Sequence, residues 1–571
     1  MRRTFRRAVF SAIFLAVGVL TLQSLALASL TNVYVAQNAA GLANGSSCAN
    51  AYAATFFNTQ TNWGSGSSQI GPGTVVHVCG VWAGGNGVTF LKFQGSGSSG
   101  NVIELLFEAG AAMRPNYCSS AGCLDLNSQS YILIDGGTTC GETSHWSTTS
   151  CNGEIVDQTT GSSGAKCPNG SSCTTQLPDT TTVSAVGTNS GSPSNIEVRN
   201  LHIHLYTRLS SDTTGGGTST YGIGLFGGTL AQGITVHNMM FDGMEKAYLI
   251  SLGSASGTLS RYQLYDSNIT DQCWAMGVGA DAPSMNITNL QFHDNEVSNW
   301  DNWAPANHTN ADCHTNGTMW FNGDGNTVHS GSGFIGDPTS MIYNNYIHGS
   351  LTGGYSGSSP SGMISCQDNC IDVAIFNNVV HYVNESNVGG GGLIYFNGAG
   401  GGQQLVYSNT LIEDSGLNGS CIVVTGTTGP TVVKDNIAYG CGDFIEIRPN
   451  CPTCVTSDDN DGYNITQAWV VNNSANSGQF ISLATWQGTY GQDTHTTTGS
   501  PLLDASYKPQ TGSAAIGGGA NLTGVGITAL NSDVAGVARP SGTTPWDIGA
   551  YQSGASAVAP APPSGFVATV H

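Results

Sequence analysis

One short phrase recurs along the chain and limits its fold more than any other feature. It runs apolar residue, any residue, then Asn, Asp or Ser, commonly a second Asn, and a return to apolar. It reads Val198-Arg199-Asn200-Leu201, Val236-His237-Asn238-Met239, Leu264-Tyr265-Asp266-Ser267-Asn268 and Phe292-His293-Asp294-Asn295. It continues as Ile342-Tyr343-Asn344-Asn345, Ile375-Phe376-Asn377-Asn378, Val406-Tyr407-Ser408-Asn409, Val433-Lys434-Asp435-Asn436 and Val471-Asn472-Asn473. The third positions, 200, 238, 266, 294, 344, 377, 408, 435 and 472, lie 38, 28, 28, 50, 33, 31, 27 and 37 residues apart. A fixed motif with elastic spacing marks a solenoid: strand and turn must stack in register, while the loops between are free to swell. Around the motif apolar and polar residues alternate, as in Ile196, Val198, Leu201 and Ile234, Val236, Met239, which is the pattern of a half-buried strand. No interval carries a 3.6-residue apolar stripe, so alternating strands and helices are excluded. The expectation is an all-β chain wound as a right-handed parallel β-helix. Asn tolerates unusual backbone angles and bonds nearby backbone, so Asn295, Asn345, Asn378, Asn409 and Asn436 are expected to stack along the axis in a structural role.

A solenoid needs caps over its apolar ends. At the start, Ser47 to Asn58 is expected to form a short capping helix, with Tyr52 and Phe56 on one face. Strands are expected at Thr74–Cys79, Val102–Phe107 and Tyr131–Asp135. Residues 138–192 are rich in Thr, Ser and Gly, hold four cysteines and break the rhythm, so they read as a disulfide-pinned insertion. Near the end stand Asp533-Val534-Ala535-Gly536-Val537-Ala538-Arg539-Pro540 and Trp546-Asp547-Ile548-Gly549-Ala550-Tyr551. Together they resemble the closing motif of secreted bacterial right-handed β-helix proteins of the pectate-lyase-like superfamily. With the rungs, the resemblance covers roughly Asn32 to Gln552. It implies the fold, and not one activity, because the motif recurs on proteins of many functions. Physically, Arg539 and Asp547 are placed to pair while Trp546 and Ile548 seal the last rung. Residues 553–571 are rich in Ala, Pro and Ser and read as a tail or linker.

The first 28 residues have the pattern of a signal peptide: Arg2, Arg3, Arg6 and Arg7, an apolar run from Ala8 to Leu20, and Ala26-Leu27-Ala28 before Ser29. The solenoid domain then spans 29–552, and the protein is expected to be secreted, extracellular or periplasmic, with no membrane contact after cleavage. Without those four arginines the balance is 11 basic against 36 acidic residues, a net −25. Such a surface repels nucleic acid and anionic lipid. Neutral glycans suit it, as do acidic glycans bridged by Ca²⁺; no other cofactor and no fixed metal site is implied. The expected state is a monomer. All 16 cysteines lie beyond residue 28 and read as disulfides. Proximity suggests 48/79, 118/123, 140/151, 167/173, 273/313, 366/370, 421/441 and 451/454, a pairing that sequence alone leaves open.

The interval of 50 residues before position 344 is the longest between motifs and the richest in chemistry. Trp300, Asp301, Trp303, His308, Asp312, His314 and Trp320 fall within 21 residues. Aromatic faces stack on sugars, and carboxylates and imidazoles move protons. Aligning the rungs on the Asn motif brings Asp242, Glu245 and Lys246, then Asp271 and Trp274, then Asp301 or Asp312 with His314, then His348, then His381 with Glu385, then Glu413 and Asp414, to one edge of the solenoid. Asp271 and Asp312 are the expected acid and base, with His314 orienting or shuttling a proton. Asp242, Glu245, Lys246, Trp274, Trp300, Trp303, Trp320, His348 and His381 are the expected substrate contacts. The family's arginine base and its paired-aspartate pattern are both missing. His202 and His204 are read as alternating on a strand, one facing out, neither a ligand. Asp458-Asp459-Asn460-Asp461-Gly462 has the look of a Ca²⁺ loop but lacks the closing Glu, and is read as a solvated turn. Two functions fit: a secreted polysaccharide hydrolase or lyase working in a groove along the solenoid, or a non-catalytic glycan-binding, adhesin-like or structural surface protein.

Overall fold

The structure is a computed structural model. It describes residues 29–138, 151, 153–177, 181–189, 191–212, 219–226, 232–251, 257–280, 285–303, 316–322, 340–350, 362–367, 373–383, 392–397, 403–414, 419–425, 431–448, 451–474 and 477–553.

Each turn of the chain contributes one strand to each of three faces. The first face is a sheet of 14 strands running from Tyr52–Ala53 and Asn32–Ala36 through Ser194–Arg199, Gln232–His237 and Met341–Tyr343 to Val455–Asp458. A second sheet of 23 strands carries the other two faces, which share the long strands Met240–Ser251 and Asn268–Ala280. Successive turns pair in parallel, for example Val236↔Leu264 and Leu264↔Phe292. The one antiparallel ladder between described strands joins Ala468–Ser474 to Ser477–Ile481 at the end of the coil. The chain is a right-handed parallel β-helix. Val33, Ile103, Val198, Val236, Leu264, Phe292, Ile342, Ile375, Val406 and Val433 are buried inward from the first face and belong to one continuous core.

The corner between the first and second faces explains the recurring phrase. Asn200, Asn238, Asp266, Asp294, Asn344, Asn377, Ser408, Asp435 and Asp459 all have left-handed backbones, with φ between 47° and 61°. That conformation costs an L-residue about 1 kcal/mol or more, least for Asn and Asp. The residue after each corner points into the core. Asn295, Asn345, Asn378, Asn409, Asn436 and Asn460 are all 0% exposed. Each passes its Nδ2 to the Oδ1 of the next, at 3.1, 2.9, 3.0, 3.0 and 3.2 Å, and Asn460 ends the ladder on Asp493 Oδ1 at 3.0 Å.

The final rung is therefore Asp459-Asn460 and not Asn472, which lies inside the third-face strand Ala468–Ser474. The look-alike Ca²⁺ loop is correspondingly no solvated turn, since Asn460 and Asp461 are fully buried. Sequence could not separate these because Val471-Asn472-Asn473 copies the phrase without turning a corner.

The N-terminal cap is shorter than expected, a 3-10 turn at Cys48–Asn50 and a helix at Ala54–Asn58. Tyr52 and Phe56 do stack, at 4.0 Å, but Phe57 is the residue that plugs the end, edge-on to Trp63 and Phe93. At the other end the helix Leu483–Tyr490 closes the coil. Its Trp486 and the strand residue Trp469 both donate to Asp493 Oδ2, at 3.0 and 2.8 Å. The closing motif does something else. It runs back along the outside, with Trp546, Leu522 and Leu530 packed on Phe376 and Tyr407, and Ile548 on Ile437. Arg539 makes no ion pair with the Asp547 carboxylate; it donates to Asn377 Oδ1 and Gly549 O, both at 2.9 Å, and lies over the Trp546 ring.

The segment read as an insertion contains two strands of the coil, Gly153–Val156 and Val183–Thr188. Disulfides 48–79, 118–123, 167–173, 421–441 and 451–454 are formed as expected. Cys151, Cys273 and Cys366 are also disulfide-bonded; the partners expected for them, Cys140, Cys313 and Cys370, lie outside the described residues. Residues 1–28 and 554–571 lie outside them too. Among the described residues no helix is long and apolar enough to cross a membrane.

Candidate functional site

Three residues in register build the floor of an open cleft on the second face: His204, Asp242 and Thr270, on successive turns. Residues two apart on a strand share a face, so His202 points the same way as His204. The expectation that only one of them faces out is corrected. Both imidazoles hold Asp242: His202 Nε2 lies 2.9 Å from Oδ2, and His204 Nδ1 bonds Oδ1. His204 Nε2 is fixed in turn by Thr207 Oγ1 at 2.9 Å. The chain approaches so closely here that Gly243, at φ 60°, has room for no side chain; a Cβ would meet His204 Cε1 at 2.4 Å.

Asp271 stands one residue past Thr270, at the second corner of the next turn, with φ 51°. Its Oδ1 accepts from Asn302 Nδ2 at 2.9 Å. Asn302 sits in the 3-10 turn Asp301–Trp303, which Arg208 presses on from its place over the Trp303 ring, 5.1 Å away. Asn299 donates to Thr270 Oγ1 at 2.7 Å. Above these groups the loop closed by Cys167–Cys173 brings Lys166 and Pro168 over as a wall. The cleft has a volume of about 630 Å³.

The two carboxylates in this cleft are pushed apart. Burial disfavours the charge on Asp271 and raises its pKa to about 6, although Asn302 and the positive groups His204 and Arg208 pull the other way. Burial acts on Asp242 too, but His204 and His202 more than offset it and hold that carboxyl well below the usual range. His202 is shifted up: burial opposes its charge, and Asp242 prevails.

The remaining expected residues divide. Asp242 and Asp271 line the cleft. His348 and His381 lie further along the same outward column, bonded to Glu296 at 2.9 Å and to Asp414 at 3.0 Å. Glu245, Lys246 and Trp274 do not join them. Past Gly243 and Asp271 the chain has turned onto the third face, where Lys246 pairs with buried Glu245 at 2.7 Å and lies over the Trp274 ring. Lys246 therefore stands outside the cleft. Trp300, Trp303 and Trp320 are 0% exposed and serve the core, so they offer no ring to a sugar. Asp312, His314 and Glu385 lie outside the described residues. The sequence reading missed His202, His204, Asn299, Asn302 and Lys166. The His-x-His pattern on a strand was the available signal; the reach of Lys166 across the cleft had none.

No protein-family model matches the chain, and no curated protein does. Among solved structures, the crystal structure of pectate lyase Pel9A aligns with 92% of this chain and 97% of that one, at 12% identity and a TM-score of 0.38. The ladders described above establish the fold of this chain.

Proposed function

We propose that the cleft hydrolyses glycosidic bonds of an extracellular glycan, with Asp271 as general acid and Asp242 as the ionised carboxylate that stabilises the cationic sugar. The observation that carries this is the placing of two half-buried carboxylates in one cleft, one with a single amide donor, the other held by two imidazoles. Such divergent surroundings sort a carboxyl pair into acid and anion. Asp271 gives its proton to the glycosidic oxygen as the bond to the anomeric carbon breaks. Asp242, kept charged by His202 and His204, faces the positive charge that develops on the ring. Water then adds to the anomeric carbon and returns a proton to Asp271. Asp242 thus takes the second carboxylate's part first expected of Asp312. Asn299, Lys166, His348 and His381 offer hydrogen bonds along the face to either side. The disulfides, five of them with both partners among the described residues, fit an oxidising compartment outside the cytoplasm.

The test is release of reducing ends from a panel of polysaccharides by the wild type and Asp271→Asn. Loss of a general acid lowers the rate by about 10²–10⁴, and the melting temperature should hold, because an amide fits where a carboxylate was desolvated. Activity should also fall as pH rises through about 6, where Asp271 loses its proton. Cleavage that survives Asp271→Asn, or that is flat from pH 5 to 8, refutes the assignment. Tight binding with no product would instead favour the non-catalytic glycan binder, which the saturation of both Asp242 oxygens by imidazoles also suits.

A further inference from the structure

From Tyr262 to Val433 the chain contains no lysine and no arginine, yet it carries 14 Asp and Glu and six His. Within this stretch imidazole is the only side chain able to carry a positive charge. The pairings are direct: His293 Nδ1 to Asp294 at 2.6 Å, His348 Nε2 to Glu296 at 2.9 Å, His381 Nε2 to Asp414 at 3.0 Å. At the far end of the coil a second device serves the same purpose. Glu413, Asp443 and Asp461 are nine-tenths or more buried, and both carboxyl oxygens of Glu413 and of Asp461, with Oδ1 of Asp443, have no hydrogen-bond partner among the described residues.

We infer that this solenoid is built for an acidic medium: buried carboxyls at the far end of its coil are matched by bound protons instead of lysine and arginine, so raising the pH strips the compensation from the fold.

The groups facing each buried acid support this. Glu413 has Asp443 as its charged neighbour; burial, then Asp443, raise it to about 7, although the nearby Gly419 backbone N–H pulls the other way. Asp443 faces Glu446, whose charge is already taken by Arg448 at 2.5 Å, and receives the Ala468 N–H; burial leads in raising it to about 7. Asp461 has no charged neighbour acting on it, and burial alone raises it to about 7. Asp435 lies under the returning C-terminal segment, takes the Ala520 N–H at 2.8 Å, and faces Arg539, Asp459 and Lys434; burial still raises it to about 8. Each of these folded values lies above that of the unfolded chain. The stability they contribute is therefore complete below about pH 4 and is lost as pH rises through 7 to 8.

The measurement is proton release on unfolding. The chain, in weakly buffered denaturant at pH 6, should release at least about three protons per molecule, because these four carboxyls hold protons only when folded. The double variant Glu413→Gln/Asp461→Asn should release about two fewer, and its melting temperature should fall less between pH 5 and 8 than that of the wild type. Release of fewer than one proton by the wild type overturns the inference, as does a melting temperature that is level or rising from pH 5 to 8. The wild-type titration decides even if the double variant does not fold. Neither substitution touches the cleft, so failure here would leave the roles of Asp242 and Asp271 standing, and failure there would leave this inference intact.

Discussion

Replacing Asn378 tests the feature on which the coil depends. Its side chain is 0% exposed and makes five hydrogen bonds. Oδ1 accepts from Asn345 N at 3.1 Å and from Asn345 Nδ2 at 2.9 Å. Nδ2 donates to Ile342 O at 2.9 Å, to Phe376 O at 3.1 Å and to Asn409 Oδ1 at 3.0 Å. Each such bond contributes about 1 kcal/mol net, and a buried donor left unmet costs about 1–3 kcal/mol. In Asn378→Ala, Asn345 Nδ2 keeps Phe292 O and Tyr343 O, so part of the loss is absorbed. The expected cost is about 3–5 kcal/mol.

Asn378→Asp separates hydrogen bonding from shape. The carboxylate has nearly the same outline and keeps the two bonds from Asn345, but it turns an acceptor toward Ile342 O, Phe376 O and Asn409 Oδ1. It should be worse than Ala at pH 7 by about 1–3 kcal/mol. The deficit should shrink in acid, where the carboxyl regains a proton to donate. Urea unfolding followed by tryptophan fluorescence at pH 4 and 7 reads both effects. A cost below 1 kcal/mol for Ala, or an Asp variant no worse than Ala at pH 7, would show that the ladder is carried by packing and not by its amide bonds.

Arg539→Lys should lose about 2–4 kcal/mol in the same assay, because an ammonium cannot reach Asn377 Oδ1 and Gly549 O together while lying over Trp546. Replacing both Cys167 and Cys173 by Ala should raise KM several-fold with kcat within about twofold, since the freed loop carries Lys166 and Pro168 but neither carboxylate. Steady-state kinetics on a cleaved glycan would check this, and an unchanged KM would remove the loop from the binding site.

The winding was legible because one demand repeats at each turn: a left-handed corner followed by a buried side chain, which is an amide from Asn295 onward. Asn200 through Asp435 answer it in the sequence itself, and the structure places all eight at that corner. What sequence could not show was where each strand bends a second time. Glu245, Lys246 and Trp274 were grouped with Asp242 and Asp271 because they are neighbours in the chain, but a bend at Gly243 and Asp271 sends them to another face. The tryptophans misled for a related reason. A stretch dense in Trp300, Trp303 and Trp320 looks like a sugar platform, yet large rings are also what fills a wide coil, and all three are buried.

That second bend also accounts for the position of the cleft. It falls at 243, 271, 299 and 349 on successive turns, with φ of 60°, 51°, 58° and 135°. Glycine meets the backbone demand at two of these positions and an amide at a third, each without an ionisable group. Aspartate meets it equally well at 271, but places a carboxyl at the bend beside Asp242, beneath the disulfide-held loop and against Asn302. If the corner demanded only left-handed geometry, Asp271→Gly would be neutral or mildly stabilising, by relief of a strained φ and of a desolvated charge. The same change would abolish the proposed acid. A variant that gains thermal stability while losing glycan cleavage is the outcome expected of a residue kept for chemistry, and a loss of both together would mark Asp271 as a structural turn former.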